Sequence, residues 1–309
     1  MALDDYLVSE VRLDHTDGHI TRREALRLLG LLGVASTTAA LWLEADAAVA
    51  ASKTTKVPTK KRPVAKTSAP KSTPATMGKP VPNPQAVSAG PIRFAGPAGE
   101  LRASFCASVA PKGGVLIIHE NRGLTKHFQD LPTRFARSGF SALALDLASR
   151  AGGTDAVASQ MPAPLAALST TDLVADMTAG LAELVRRTPG KKLAIIGFCF
   201  GGGMVWNMIN AGDSRLAAAA PFYGVGPSDA DFSKSKAAVL AIYAEQDARV
   251  NANRPAMTAA LENAKLAHQI LTVPGVDHAF FNDTGPRYNK TQAEAVYKTL
   301  LEWFDVHLR

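Results

Sequence analysis

From residue 101 to the end of the chain, short apolar runs alternate with longer segments whose apolar residues recur every three or four positions. The first kind has the length and continuity of strands buried on both faces, and the second has the period of helices that bury one stripe. Strands are predicted over Leu101–Ser108, Gly114–His119, Ser141–Asp146, Leu193–Phe198, Ala218–Tyr223, Val239–Ala244 and Gln269–Val273. Helices are predicted over Phe128–Ser138, Thr171–Thr188, Gly202–Asn210, Arg254–Ala264 and Thr291–His307. Such alternation predicts an α/β domain over 91–309, a three-layer αβα arrangement with a mostly parallel sheet and helices on both faces. The Gly-, Ala- and Pro-rich stretch 148–164 reads as a long loop at a strand's carboxyl end, where open α/β sheets form their ligand crevices.

The first ninety residues follow another pattern. Arg22 and Arg23 precede a moderately apolar run, Leu28-Leu29-Gly30-Leu31-Leu32-Gly33-Val34, and an Ala-rich stretch that ends Ala48-Val49-Ala50-Ala51. A basic pair, an apolar run and a small-residue cleavage site, in that order, resemble a twin-arginine export signal over 1–50. The expected location is then outside the cytoplasm, periplasmic or extracellular, with the export machinery as a partner. A membrane-anchoring or amphipathic helix is the alternative, because Leu26 to Leu43 approaches the ~18 residues that span a bilayer. Residues 51–90, rich in Lys, Pro, Ser, Thr and Ala, offer too little apolar surface to fold and read as a disordered linker.

Charge sharpens this division. Residues 1–50 carry four Lys/Arg and eight Asp/Glu, residues 51–90 eight and none, which leaves 22 and 19 of the chain's 34 and 27 for the remainder. The net charge of +7 therefore falls to +3 on the folded part, and a nucleic-acid face is not expected. The linker's cations suit either an anionic envelope surface or a solvated spacer with no partner. With two distant cysteines, neither a disulfide framework nor a zinc site is supported, and no metal or cofactor is expected.

The chemistry gathers at strand ends. Gly197-Phe198-Cys199-Phe200-Gly201 lies between a predicted strand and a helix, the pattern of the nucleophile elbow of α/β-hydrolases. Glycines flank it because side chains there would collide, and Cys199 at a helix N-terminus is expected to favour thiolate. The superfamily order of nucleophile, acid and histidine is met by Asp247 and His278, each just beyond an apolar strand. His278 would take the thiol proton and Asp247 would fix its tautomer, with Asp277 and Glu245 as substitutes for Asp247. His119 has no second ligand at metal spacing and reads as structural.

With these motifs, residues 91–309 resemble the dienelactone hydrolase (carboxymethylenebutenolidase) family. The resemblance implies an α/β-hydrolase fold, no cofactor, and cleavage of a small-molecule ester or lactone through an acyl-enzyme. It casts Glu120, in the segment Val115-Leu-Ile-Ile-His119-Glu120-Asn121-Arg122, as the carboxylate that keeps the resting thiol quiescent. By the same resemblance the backbone N–H groups of Asn121 and Phe200 form the oxyanion hole, Arg150 grips a substrate carboxylate, and Tyr223 lines the pocket. Where the family carries a serine and a second arginine after the histidine, this chain has Ala279 and Asn282. Arg122 either compensates for that arginine or pairs with Glu120. A general esterase, thioesterase or peptidase on the same fold is the nearest competing reading, and a non-catalytic envelope-binding protein the more distant one.

Overall fold

The computed structural model describes residues 3–54 and 87–309, so most of the expected linker lies outside the described residues. In chain order the elements are α1 (Leu3–Thr16), α2 (Arg22–Leu31), α3 (Ser36–Thr54), β1 (Gly90–Gly96), β2 (Gly99–Cys106), β3 (Gly113–Ile118), α4 (Lys126–Arg137) and β4 (Phe140–Asp146). There follow α5 (Thr154–Val157), α6 (Ala163–Ala166), α7 (Thr170–Arg187), β5 (Leu193–Phe198), α8 (Phe200–Ala211) and β6 (Leu216–Phe222). The chain closes with β7 (Ala238–Ala244), α9 (Ala248–Asn251), α10 (Arg254–Asn263), β8 (His268–Val273) and α11 (Lys290–His307).

The strands form one eight-stranded sheet in the order β1-β2-β4-β3-β5-β6-β7-β8. Pairing is parallel from β4 through β8 and antiparallel where β1, β2 and β4 meet. Every residue of β3, β4, β5 and β7 is buried, which is why these segments read as unbroken apolar runs. After β3 the chain crosses to β4 on one side, and it then returns to β5 on the other. A crevice therefore opens beyond the carboxyl ends of β3 and β5, where neighbouring connections diverge.

All the expected strands and helices are present, with ends shifted by a few residues. Strand β1 has no counterpart among them. Its alternating half-buried and exposed residues belong to a hairpin at the sheet edge, with only Ile92 and Phe94 as large apolar side chains. The stretch 148–164 is not a plain loop but a series of short helical turns, including α5 and α6.

Helices α1, α2 and α3 pack on one another through Val11, Ala25, Leu28, Leu29, Ala39 and Leu43. Thr21 caps α2 through a reciprocal capping box with Glu24, so Arg22 and Arg23 form the exposed first turn, with Arg22 3.2 Å from Glu44. Leu32–Ala35 separates α2 from α3, and no described helix is long and apolar enough to cross a membrane. Helix α1 has a second contact surface: Tyr6 and Leu7 are buried in the core of the sheet domain itself.

Leu7 has no exposed surface. Truncation to alanine should cost about 2–5 kcal/mol of its local packing. Leu7→Ala is therefore expected to abolish hydrogen-exchange protection in α1 while leaving β3 and β5 protected; equal loss in both would mean that α1 belongs to the global folding unit.

Candidate active site

Cys199 follows the last residue of β5 and precedes the first of α8, with φ 55° and ψ −117°. Few L-residues adopt this conformation, and the surrounding close packing enforces it. A Cβ on Gly201 would lie 2.5 Å from the carbonyl oxygens of both Ile118 and His119, and one on Gly197 would lie 2.1 Å from the carbonyl oxygen of Gly201. Strands β3 and β5 and helix α8 thus approach one another closely enough to require glycine, and the turn lifts Cys199 toward the crevice.

His278 and Asp247 reach the same point from the ends of β8 and β7. His278 Nδ1 lies 2.5 Å from Asp247 Oδ2, and Asp247 Oδ1 accepts the backbone N–H of Val250 at 3.1 Å, so one carboxylate both caps α9 and holds the imidazole. Asp277 and Glu245 accept backbone N–H groups, from His278 and Gly275 respectively. A ring nitrogen of His278, Sγ of Cys199 and a carboxylate oxygen of Glu10 all lie within 4.8 Å of one another.

Glu10, on α1, is the residue that sequence reasoning missed. The Cys199 thiol donates to Glu10 Oε2 at 3.1 Å, and the same oxygen is 3.5 Å from His278 Nε2. Tyr6, one turn earlier, donates its hydroxyl to Cys199 Sγ at 3.5 Å. The other Glu10 oxygen accepts from Arg249 Nη2, and the Arg249 guanidinium stacks 4.7 Å from the Tyr6 ring. The signal in the sequence was a run of acids at helical spacing, Glu10, Asp14 and Asp17, inside a segment whose other features point to export.

These contacts set the protonation states. Burial pushes the Cys199 thiol well above its ordinary range, and the carboxylates of Glu10 and Glu120 push the same way, which outweighs the helix N-terminus. Burial opposes ionisation of Glu10, yet Arg249 and His278 prevail and hold it below the usual carboxylate range. For His278 burial favours the neutral ring, but Glu10 and Asp247 outweigh it and raise its pKa. The resting arrangement is accordingly a thiol beside an imidazole that two carboxylates bias toward its protonated form.

Glu120 lies close by but contacts other groups: it accepts from Tyr223 Oη at 3.3 Å and Asn282 Nδ2 at 2.8 Å. Tyr223 is buried behind the imidazole, ring centroids 5.0 Å apart, and does not line the cavity that holds Cys199. That cavity, about 270 Å³, is bordered by Glu120, Asn121, Arg122, Cys199, His278 and Arg287 among others. Asn121 directly follows Glu120, and Phe200 is the first residue of α8, where backbone N–H groups have no partner within the helix. Arg150 is held elsewhere, bonded through Nε to Asp176 at 2.9 Å and through Nη1 to Asp172 at 2.8 Å, and it is not part of the cavity wall. Arg122 is exposed at the cavity rim, and no ion pair joins it to Glu120 among the described residues.

Thiol, imidazole and carboxylate are donors that suit zinc. Here the Glu10 carboxylate is already paired with Arg249 and accepts from the Cys199 thiol. His119 is buried and fully engaged: its Nε2 accepts Leu147 N–H at 3.0 Å, so Nδ1 donates to the Glu120 carbonyl at 2.7 Å and ties the loop after β3 to the end of β4.

Comparison with known proteins finds that the family model described as the Dienelactone hydrolase family matches residues 101–308. A Salmonella typhi protein named as a carboxymethylenebutenolidase is 28% identical over 239 residues, covering 71% of this chain and 87% of the relative. An Escherichia coli protein of the same name is 29% identical over 214 residues, covering 64% and 78%. A Klebsiella pneumoniae crystal structure described as a dienelactone hydrolase superposes with a TM-score of 0.62 at 24% identity, covering 72% of this chain and 99% of its own. Helices α1 to α3 lie outside the matched residues.

Two titrations act together on α1. A raised His278 pKa means that its attraction to Glu10 is fully present below the ordinary histidine value and is lost as pH rises through the raised one. Asp14, lifted to about 7 by burial and by Glu10 and Glu120, against Arg122 and Arg287, is neutral below that value and adds repulsion above it. Protection factors of the α1 amides should therefore fall as pH rises from the ordinary carboxylate value of 3.8 to about 7 through Asp14, and again above the ordinary histidine value of 6.5 through His278, and Asp14→Asn should remove the first fall; a flat profile would contradict both assignments.

Proposed function

This chain belongs to the dienelactone hydrolase family and is a carboxylic ester hydrolase, and we propose that it cleaves an ester or lactone of a small molecule by thiol acyl transfer. The observation that carries the reading is Cys199 on its strained turn, with the 2.5 Å His278–Asp247 pair beside it. In the productive state His278 is neutral and takes the thiol proton as Cys199 Sγ attacks the carbonyl carbon. The backbone N–H groups of Asn121 and Phe200 stabilise the oxyanion. Collapse of the tetrahedral intermediate expels the alcohol oxygen, which receives the proton from His278, and leaves a thioester on Cys199. Water then attacks the thioester and gives a proton to His278; the C–S bond breaks, the acid leaves and His278 returns the proton to the Cys199 sulfur, while Asp247 keeps Nδ1 protonated throughout. In this reading Glu120, held by Tyr223 and Asn282, adds negative charge that disfavours the thiolate at rest.

With Arg150 engaged by Asp172 and Asp176, and Ala279 and Asn282 following the histidine, the arginines that border the cavity are Arg122 and Arg287. The name carried by the relatives, carboxymethylenebutenolidase, accordingly gives one substrate to test rather than the whole range.

The full-length chain should hydrolyse a dienelactone that bears a carboxylate with a kcat at least about a thousandfold above that of Cys199→Ala. Equal rates for the two proteins would rule out the thiol mechanism.

The proposal extends to location. Arg22 and Arg23 with the apolar and small residues after them support a twin-arginine-type export signal, and hence a periplasmic or extracellular enzyme, with the basic linker near an anionic envelope surface. Changing both arginines to lysine should retain the protein in the cytoplasmic fraction; unchanged fractionation would refute the signal.

A further inference from the structure

We propose that the approach to Cys199 is an anion-binding site built from Arg249, Arg122 and Arg287, that the acidic face of α1 fills it as an internal substrate mimic, and that an anionic ester must displace α1 to be turned over. The inference rests on the hydrolase reading, and it names both the substrate class and the control of that site.

The geometry of α1 is that of an occupant. Its Glu10 carboxylate is 3.1 Å from the sulfur and 3.5 Å from His278 Nε2, the space a scissile carbonyl would need. Glu10 and Asp14 border the cavity that contains Cys199, while Tyr6, one turn away, borders a second cavity of about 400 Å³ together with Phe200. Helix α1 therefore stands between two spaces that would form one cleft over the thiol in its absence. In this position Glu10 occupies the place of the scissile carbonyl, and His278 lies between the Glu10 and Asp247 carboxylates.

The charges it meets are complementary. Glu10 pairs with Arg249, and Asp17 with Arg287 at 3.0 Å. Asp14 borders the cavity with Arg122. The arginines come from separate elements, Arg249 from α9, Arg287 from the loop before α11 and Arg122 from the loop after β3, yet converge on α1 and the residue that follows it. Their donors exceed what α1 uses: Arg249 Nε and Nη1 and Arg287 Nε are buried without a hydrogen-bond partner among the described residues. Unpaired guanidinium donors beside a nucleophile suit a ligand with more acceptor oxygens than Glu10 and Asp17 supply, a carboxylate-bearing ester first of all.

Two small alkylating agents test this in the full chain without relying on turnover: iodoacetate, which is an anion, and iodoacetamide, which is neutral. The double variant Glu10→Ala/Asp14→Ala should alkylate at Cys199 at least about tenfold faster than the unmodified chain, with iodoacetate gaining more than iodoacetamide. Adding Arg249→Ala should remove iodoacetate's advantage. No acceleration, or equal gains for both reagents, would overturn the proposal. Should the variants fail to fold, the unmodified chain serves: millimolar succinate should speed hydrogen exchange in α1 and succinamide should not, and identical exchange with both would overturn it equally. A chain that responds in these ways yet hydrolyses no ester would refute the hydrolase reading and leave the anion site standing.

Discussion

The close approach of β3, β5 and α8 around Cys199 is the constraint from which the rest of the site follows. Two carbonyl oxygens of the β3 end lie where a Gly201 side chain would be, so strand and helix meet with backbone against backbone. Only a sharp turn joins them in that space, and it fixes Cys199 at φ 55°. Conformations of this kind cost on the order of 1–3 kcal/mol. The cost is offset by the fully buried strands on either side, which leave the turn no freedom to relax. The loop after β3 is set by the same contact, because its backbone closes against Gly201 while His119 ties it to β4.

Once Cys199 is fixed, electrostatics decides what state it rests in. A helix N-terminus alone would favour thiolate. Burial and two nearby carboxylates act in the opposite sense and prevail, while the same Glu10 draws a proton onto His278. The docked α1 thus opposes ionisation of the Cys199 thiol and biases His278 toward its protonated form, although thiol, imidazole and carboxylate lie within a few ångströms of one another.

The sheet domain was legible because its physics is local. Strands buried on both faces leave unbroken apolar runs such as Val115-Leu-Ile-Ile, and an elbow leaves glycines at fixed offsets around Cys199. Asp247 and His278 could be found because each follows a strand that was itself legible. Arg150 shows the limit: position along the chain placed it at a strand's carboxyl end, but its partners Asp172 and Asp176 lie on α7, and nothing in the spacing predicts that pairing. Strand β1 was missed because an edge hairpin buries little and so writes little into the sequence.

Glu10 was illegible for a different reason. The first fifty residues satisfy the pattern of an export signal, and a segment expected to be removed offers no cause to ask what its acids face. The structure gives those acids a partner: α1 docks on the sheet domain through Tyr6 and Leu7 and sets Glu10 against Cys199 and Arg249, and the covalent link to the domain keeps that carboxylate there at high effective concentration.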